Sequence, residues 1–403
     1  WTETTGESGY RIQRSSDGGV TYSTVTTVAA NVPSYTDSGL TSGAAYSYVV
    51  TPTSSLGDGV TSAVVSGAPR IAAVNPTLGA VGTGSIAINW TDIAGETGYR
   101  IERSTNGTSF TTLASVAANV LTYTDTTVAS ATEYYYRVFG TTTLTQSMTG
   151  TVKFAASTST SPPPAPWTSA DIGTVSGPGT TDLTSGTFKL ISSGSSVGGT
   201  SDTFRFTSQP VTGDTSVVAR VATLENTGTS ARAGVMVRQS TAANSANAYV
   251  YVTPSAIEFS YRATAGGATT TVTTVAATGP NWVKLVRVGN AFTASYSADG
   301  VSWTQLGTSP AIAMTGSTSV GIAATAGSTS ALNTSTLTNV AVTAASGLLV
   351  TDVSQAEGDA GTSSFSFSIK LSAASGSTVS VDYATSAGTA TEDRKSTCLN
   401  SSH

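Results

Sequence analysis

An internal repeat constrains the fold of this chain more than any other feature of its sequence. The stretch "WTETTGESGYRIQRSSDGG" from Trp1 matches the stretch "WTDIAGETGYRIERSTNG" from Trp90. The two copies differ by one residue where SSDGG aligns with STNG, and insertions of this kind fall in the turns between paired strands. Asp-Gly and Asn-Gly are also favoured in two-residue hairpin turns. The repeat therefore predicts two copies of one β-domain, each with a hairpin at this point.

The composition extends the all-β prediction to the rest of the chain. Of the 403 residues, 41 are glycine and only 10% are charged. Segments rich in Thr, Val, Tyr and Ser favour half-buried strands, and Gly, Asn and Asp supply turns between them. Typical domains have ~100 to 200 residues. We therefore predict an all-β protein built from tandem β-sandwich domains.

The two repeats resemble fibronectin type III domains, which are immunoglobulin-like sandwiches. The resemblance rests on a strand-B tryptophan, a GYRI segment, a YTD segment and a tyrosine that matches the tyrosine corner of such sandwiches. It covers about residues 1–68 and 69–157, and only the second copy has residues for strands A and B before its tryptophan, so the first is expected to be truncated at its N-terminus. The residues expected in the core or the corner are Trp1, Trp90, Tyr46 and Tyr134.

A proline-rich linker at 158–166 separates the repeats from a third unit at 167–345. In this unit "AIEFSYRA" places Ile257 and Phe259 on one face of a strand, with Glu258 and Arg262 on the other. The segment "RAGVMVR" alternates in the same way. With "NWVKLVRVGN" and "YSADGVSWTQLG", these motifs resemble the concanavalin A-like (laminin G-like) jelly-roll sandwiches of secreted bacterial proteins.

Residues 346–392 resemble the opening strands of a Calx-beta domain, through "EGDAG" and "VSVDYATSAGTA". The resemblance implies calcium binding, with Glu357 as one ligand. Ca²⁺ takes six to eight oxygen ligands. A later position that is often aspartate in the family is Ala387 here, so the site is expected to be incomplete. No cofactor is firmly predicted, and solvated acids on loops are the alternative.

The last eleven residues, 393–403, hold the only cysteine, Cys398, and the only histidine, His403. "DRKSTCLNSSH" resembles the translation of a sequencing adapter, "DRKSTRLNSSH". We interpret this segment as an adapter-derived artefact and exclude it from fold reasoning.

Several classes of function are disfavoured by composition. The net charge is −5 and the 18 Lys and Arg residues are scattered, which disfavours a nucleic-acid partner. No apolar run is long enough for a membrane span. Without histidine before residue 403, a Ser-His-Asp arrangement has no general base. The acids of the third unit do not pair at close spacing on one strand face. We predict a protein without enzymatic activity.

A polysaccharide or cell-surface glycan is the expected partner of the third unit, because sugars are recognised by aromatic faces flanked by hydrogen-bonding side chains. The alternative is that the charged side chains form cross-strand pairs and the aromatic rings fill a core. The candidate ligand-binding residues are Arg238, Tyr249, Tyr251, Glu258, Arg262 and Trp303.

The expected protein is a non-catalytic fragment of a secreted or cell-surface bacterial protein, in which the repeats are spacers and the third unit is a carbohydrate-binding or adhesion module. The absence of cysteine before Cys398 fits an extracellular bacterial protein without disulfides. The alternatives are an accessory region of a secreted glycoside hydrolase or protease whose catalytic domain lies elsewhere, and a spacer without a ligand.

Overall fold

The structure is a computed structural model that describes residues 1–143, 145–344, 348–350, 366–371 and 381. Within these residues the regular secondary structure consists of β-strands alone, and the strands pair antiparallel in several sheets. The all-β prediction is confirmed. Residues 393–403, with Cys398 and His403, lie outside the described residues.

The first unit is one five-stranded sheet in which β1 lies between β2 and β3, and β4 and β5 both pair with β3. The predicted hairpin joins β1 to β2, and Asp17 accepts hydrogen bonds from the backbone N–H groups of Val20 and Thr21 within its turn. The strands are β1 (Gly9–Ser15), β2 (Ser23–Ala29), β3 (Tyr46–Ser54), β4 (Gly57–Asp58) and β5 (Val65–Gly67).

The second unit is a sandwich of a three-stranded and a four-stranded sheet, ordered β10-β7-β6 and β12-β11-β8-β9. Their inner faces bury Ile86 and Ile88 against Tyr99, Ile101 and other apolar side chains. The strands are β6 (Thr77–Val81), β7 (Ile86–Asn89), β8 (Gly98–Ser104), β9 (Thr111–Ala117), β10 (Thr122–Asp125), β11 (Glu133–Thr141) and β12 (Lys153–Ala156).

The two repeats share local geometry as well as sequence. Both have a β-bulge in the GYRI strand, after Ile12 and after Ile101. The Tyr46 hydroxyl accepts a hydrogen bond from the N–H of Thr41, and the Tyr134 hydroxyl accepts one from Ala129. Each tyrosine therefore bonds to the backbone five residues upstream, which is the geometry of a tyrosine corner.

The predicted core tryptophans differ between the repeats. Trp90 is 5% exposed, whereas Trp1 is 36% exposed although its ring lies 5.6 Å from that of Tyr10. In the second unit β7 covers the inner face of the four-stranded sheet. In the first unit Tyr48 and Val50 help to line a groove of about 750 Å³.

The third unit consists of two seven-stranded antiparallel sheets. Sheet I has the order β13-β16-β25-β18-β19-β20-β21, and sheet II has the order β14-β15-β26-β17-β22-β23-β24. The strands of sheet I are β13 (Thr168–Ile172), β16 (Phe204–Thr212), β18 (Arg232–Arg238), β19 (Asn247–Val252), β20 (Ala256–Arg262), β21 (Thr270–Ala276) and β25 (Ser317–Thr325). The strands of sheet II are β14 (Thr180–Thr184), β15 (Thr187–Gly194), β17 (Thr215–Leu224), β22 (Asn281–Val288), β23 (Ala291–Ser297), β24 (Thr304–Thr308) and β26 (Ser328–Ala344).

The main core of the third unit lies between the two sheets, where alternate side chains of each strand meet. Val235, Val250 and Phe259 from sheet I pack with Val217, Leu285 and other side chains from sheet II. Burial of a side chain of this size stabilises the fold by ~1.5 to 3 kcal/mol. The predicted alternation in β18 and β20 is confirmed. Side chains of these strands that face away from this core, such as Met236, are buried in a second cluster.

The second and third units are joined by a packed junction. Tyr135 and Phe154 of the second unit form a buried cluster with Ile191 and Leu332 of the third. The Tyr135 hydroxyl accepts a hydrogen bond of 3.1 Å from the N–H of Leu332. Across the same junction Lys189 donates to the carbonyl of Ala131. The two units are therefore held together by apolar contact as well as by the linker.

The first two units also meet through a buried residue. Ile71 is 1% exposed, and its side chain lies against Gly43 of the first unit and Gly140 of the second. The N–H of Gly43 donates to the carbonyl of Pro69. Beyond the third unit, β27 (Leu348–Val350) pairs with β28 (Ile369–Leu371).

Candidate functional site

Five of the six predicted ligand-binding residues come together in the structure. Arg238 is the last residue of β18, Tyr249 and Tyr251 lie in β19, and Glu258 and Arg262 lie in β20. These strands are neighbours in sheet I, and all five side chains project from the face opposite the main core. The alternation predicted from the sequence is thus confirmed for Arg238 in β18 and for Glu258 and Arg262 in β20.

This outer face of sheet I is closed by the segment between β15 and β16. Asp202 in that segment is buried, and its Oδ2 accepts hydrogen bonds of 2.6 Å from Arg238 and 2.7 Å from Arg262. The other oxygen, Oδ1, accepts 2.6 Å from Arg262 and 3.1 Å from the N–H of Gly198. Burial lowers the pKa of Arg238, and the negative charge of Asp202 opposes that effect.

The aromatic rings on this face fill a second core. Tyr249 and Tyr251 stack at 4.5 Å and pack with Phe204, Met236 and other apolar side chains. The Tyr249 hydroxyl donates to the carbonyl of Ala323, and the Tyr251 hydroxyl donates to Glu258 at 2.7 Å. Burial raises the pKa of Tyr251 to about 12. Sheet I is thus covered on both sides.

The burial of these residues corrects the predicted ligand surface. Arg238, Arg262 and Tyr249 are fully buried and Tyr251 is 1% exposed, so a ligand has no access to them. Glu258 is half-buried and accepts the Tyr251 hydroxyl. The alternative is confirmed for the aromatic rings, because Tyr249 and Tyr251 fill a core. It is wrong for the arginines, which pair with the buried Asp202 and not across strands on a solvated face.

The sixth predicted residue, Trp303, lies apart from the others, immediately before β24 of sheet II. Its indole is half-buried, and the Nζ of Lys284 lies 4.0 Å from the ring centroid. In β22, Trp282 and Lys284 are half-buried and alternate with the buried Val283 and Leu285, so they face away from the main core. Sequence analysis missed Trp282 and Lys284.

The turn between β23 and β24 packs on Trp282 and leads directly into Trp303. Asp299 accepts hydrogen bonds of 2.8 Å from the N–H groups of Val301 and Ser302, and these bonds hold the pKa of its carboxyl well below the usual range. Gly300 has a φ of 77°, and a Cβ at this position would lie 2.7 Å from the ring of Trp282. The turn backbone therefore packs directly on one indole.

Two cations lie on the same outer face of sheet II. Arg220 in β17 pairs in register with Trp282, and the neighbouring Val218 pairs with Lys284. Among the described residues neither Lys284 nor Arg220 forms an ion pair. Burial lowers the pKa of Lys284. We call the surface formed by Arg220, Trp282, Lys284 and Trp303 the aromatic face.

The chemistry of the aromatic face is that of a flat binding surface. Indole rings offer apolar area to the C–H groups of a sugar, and cations beside them donate hydrogen bonds to hydroxyl or carboxylate oxygens. The Lys284 ammonium is already stabilised by the Trp303 ring through a cation–π contact. The face therefore combines ordered aromatic rings with unpaired donors.

One carboxyl group with a perturbed pKa lies elsewhere, at the junction of the second and third units. Burial, with repulsion from Glu225, raises the pKa of Glu133 to about 7. Its Oε2 is buried without a hydrogen-bond partner in the described part of the chain. Glu133 belongs to the second unit and Glu225 to the third, and both lie beside the buried Tyr135 cluster. We therefore interpret these two carboxyl groups as part of the junction and not as a binding site.

Metal clusters and membrane-spanning helices are both absent from the described residues. No group of three or more His, Cys, Asp or Glu side chains that could hold a metal ion occurs there. The predicted calcium ligand, Glu357, lies outside the described residues. Across the same described ranges, no helix has the length and apolar character needed to cross a bilayer.

Comparisons with known proteins find only distant structural similarity. No family model matches the chain, and no curated protein matches it. Among solved structures, the chain is similar to a functionally unknown protein from Saccharomyces cerevisiae, with 15% identity over 45% of this chain and 97% of that one, at a TM-score of 0.35. A two-domain fibronectin type III segment of chicken tenascin has 12% identity over 39% of this chain and 89% of that one, at a TM-score of 0.30. The first three fibronectin domains of chicken CNTN1 have 14% identity over 37% and 56%, at 0.24.

Proposed function

We propose that this chain is a non-catalytic part of a secreted or cell-surface bacterial protein, in which the two fibronectin type III-like units are spacers and the third unit binds carbohydrate. The observation that carries the proposal is the aromatic face of sheet II, where Trp282 and Trp303 are held by an ordered turn beside unpaired cations. Binding without chemistry needs only such a surface, whereas catalysis needs a positioned acid or base.

The spacer role is supported by the two junctions. A spacer sets the position of a binding module only when it resists bending, and interfaces with buried apolar contacts resist bending better than flexible linkers. Ile71 is buried between the first two units, and Tyr135 and Leu332 are buried between the second and third.

The binding role is tested by electrophoresis of the full chain through gels that contain neutral or acidic polysaccharides. We expect at least one polysaccharide to retard the protein, and Trp303→Ala and Trp282→Ala each to weaken binding about tenfold, as for a central aromatic contact. Tyr22→Ala is the matched control, because Tyr22 is a half-buried aromatic residue of the first unit. Absence of retardation in every gel, or equal retardation of Trp303→Ala and the wild type, contradicts the proposal.

The spacer role is tested by NMR relaxation of the full chain. If the junction is stiff, amides of the second and third units give the same rotational correlation time. Tyr135→Ala removes the ring and the hydroxyl that accepts from Leu332, and we expect separate correlation times for the two units in that variant. Separate correlation times in the wild-type chain would contradict a stiff junction.

A further inference from the structure

The outer face of sheet II carries two cations that have no ion-pair partner among the described residues. Arg220 and Lys284 lie on neighbouring strands, displaced by two residues in register, because Arg220 pairs with Trp282 and Val218 with Lys284. Diagonal neighbours of this kind are ~7 to 8 Å apart at the backbone. Two long side chains at this separation can reach one small group between them.

The acids of the third unit near this face are engaged elsewhere. Asp299, in the turn next to Trp303, accepts from Ser297 Oγ as well as from the N–H groups of Val301 and Ser302. Glu225 accepts a hydrogen bond from the N–H of Thr334. In the described residues no carboxylate lies within ion-pair distance of Arg220 or Lys284.

We propose that the aromatic face binds a carboxylated polysaccharide, with the sugar ring on Trp303 or Trp282 and its carboxylate between Lys284 and Arg220. This inference rests on the proposed carbohydrate-binding function and names the class of sugar, a uronate. Charge complementarity supports it, because the guanidinium of arginine matches the planar oxygens of a carboxylate. Lys284 is partly desolvated, so a carboxylate that neutralises it also compensates the cost of burial.

The number of cations favours a uronate over a densely charged polymer. Only Arg220 and Lys284 provide positive charge on the aromatic face, and the whole chain has a net charge of −5. A heavily sulfated glycan or a nucleic acid binds through many cations and is repelled by an acidic protein. A polyuronate carries one carboxylate on each sugar ring, and the single pair of cations on the aromatic face is enough to bind one such carboxylate.

The test compares an oligosaccharide with its methyl ester, which removes the charge and keeps the ring. The full chain is titrated calorimetrically with oligogalacturonate, with alginate oligosaccharides, and with the methyl ester of each. We expect an acidic form to bind about tenfold more tightly than its ester, which is the effect of one charged hydrogen bond. Lys284→Gln is expected to remove this preference without changing the affinity for the ester, and added salt is expected to reduce it.

Arg70→Gln is the matched control, because Arg70 is an exposed cation near the start of the second unit. This variant loses the same charge and is expected to keep the preference for the acid. Trp303→Ala is expected to weaken binding of both the acid and the ester. Circular dichroism of each variant checks that the sheets are retained.

The failure of this inference can be distinguished from the failure of the carbohydrate-binding function. Equal affinity for acid and ester, or binding of a neutral polysaccharide alone, overturns the uronate assignment and leaves carbohydrate binding in place. If dextran sulfate or an oligo-dT binds as tightly as the uronate, the uronate assignment is overturned, because the binding is then a general attraction of polyanions. Absence of binding to every saccharide overturns both.

Discussion

Replacement of Glu133 by glutamine is expected to remove a pH dependence from the junction between the second and third units. Burial and repulsion from Glu225 raise the pKa of Glu133 from 4.5 to about 7, and Lys189 opposes the shift only in part. The folded protein therefore favours the protonated form of Glu133. Its contribution to stability is fully present below pH 4.5 and is lost as the pH rises through about 7.

The magnitude follows from the two pKa values. The difference between 4.5 and about 7 corresponds to ~3 kcal/mol between the protonation states. Because Glu133 is not fully buried, solvent screens part of this effect, and we expect ~1.5 kcal/mol. The wild-type chain should thus lose ~1.5 kcal/mol of unfolding free energy from this group between pH 4.5 and pH 8.

The assay is urea unfolding of the full chain at pH 5 and at pH 8, followed by intrinsic fluorescence. We expect the unfolding free energy of Glu133→Gln to exceed that of the wild type at pH 8, and this difference to be smaller at pH 5. Glu225→Gln should move the midpoint of the pH dependence to lower pH, because the repulsion is gone. Glu96→Gln controls for the loss of a carboxylate elsewhere in the second unit. The same pH dependence in Glu133→Gln and in the wild type would refute the reasoning.

Three further changes test the buried ion pairs of sheet I, the turn beside the aromatic face, and the groove of the first unit. Asp202→Asn leaves the charges of its two buried arginine partners uncompensated. Calorimetry should show a loss of ~3 to 5 kcal/mol of unfolding free energy. The control Asp58→Asn removes an exposed carboxylate and should cost less than ~1 kcal/mol. Gly300→Ala places a Cβ against an indole at a positive φ, so it should weaken polysaccharide binding severalfold and change the near-ultraviolet circular dichroism. A copy of residues 74–89 fused ahead of Trp1 should raise the melting temperature of the first unit and lower its binding of a hydrophobic dye; unchanged values would show that these strands do not cover the groove.

The class of fold could be predicted because strand periodicity and turn dipeptides are local signals. The alternation of β18 and β20 gave the correct faces, and the Asp-Gly and Asn-Gly dipeptides gave the correct hairpins. The tyrosine corner could be predicted for a similar reason, since the hydroxyl of Tyr134 reaches only five residues back along the chain.

The accessibility of a strand face could not be predicted in the same way. Arg238 and Arg262 have the alternation expected of a solvated face, and what buries them is Asp202, which is 36 and 60 residues away in sequence. The segment that carries Asp202, "SSVGGTSD", has neither strand nor helix periodicity. Its position over sheet I depends on tertiary contacts, so the sequence pattern gave the correct face and the wrong environment.

The sequence of β22 contains a local pattern from which part of the aromatic face could have been predicted. In "NWVKLVRV" the residues Trp282 and Lys284 alternate with Val283 and Leu285, which places a tryptophan and a lysine on the side opposite to two apolar residues. The contact between Lys284 and Trp303 depends on the pairing of β22, β23 and β24. Trp282 and Lys284 could thus have been assigned to one face from the sequence. The contact of Lys284 with Trp303 could not, because it depends on how the two hairpins pair.

The two outer faces of the third unit show why one of them is the candidate for binding. A sheet that buries both faces, as sheet I does with Tyr249 on one side and Phe259 on the other, has no surface left for a ligand. The main core covers one face of sheet II, and the second unit packs on its other face at β15 and β26 through Ile191 and Leu332. Toward β22 and β24 that other face keeps two half-buried indoles and two cations that form no ion pair among the described residues. Partial burial of a cation without a counter-charge costs stability, so a fold that retains such cations beside ordered aromatic rings is expected to use them. A ligand that stacks on the rings and carries a negative charge supplies what this face lacks.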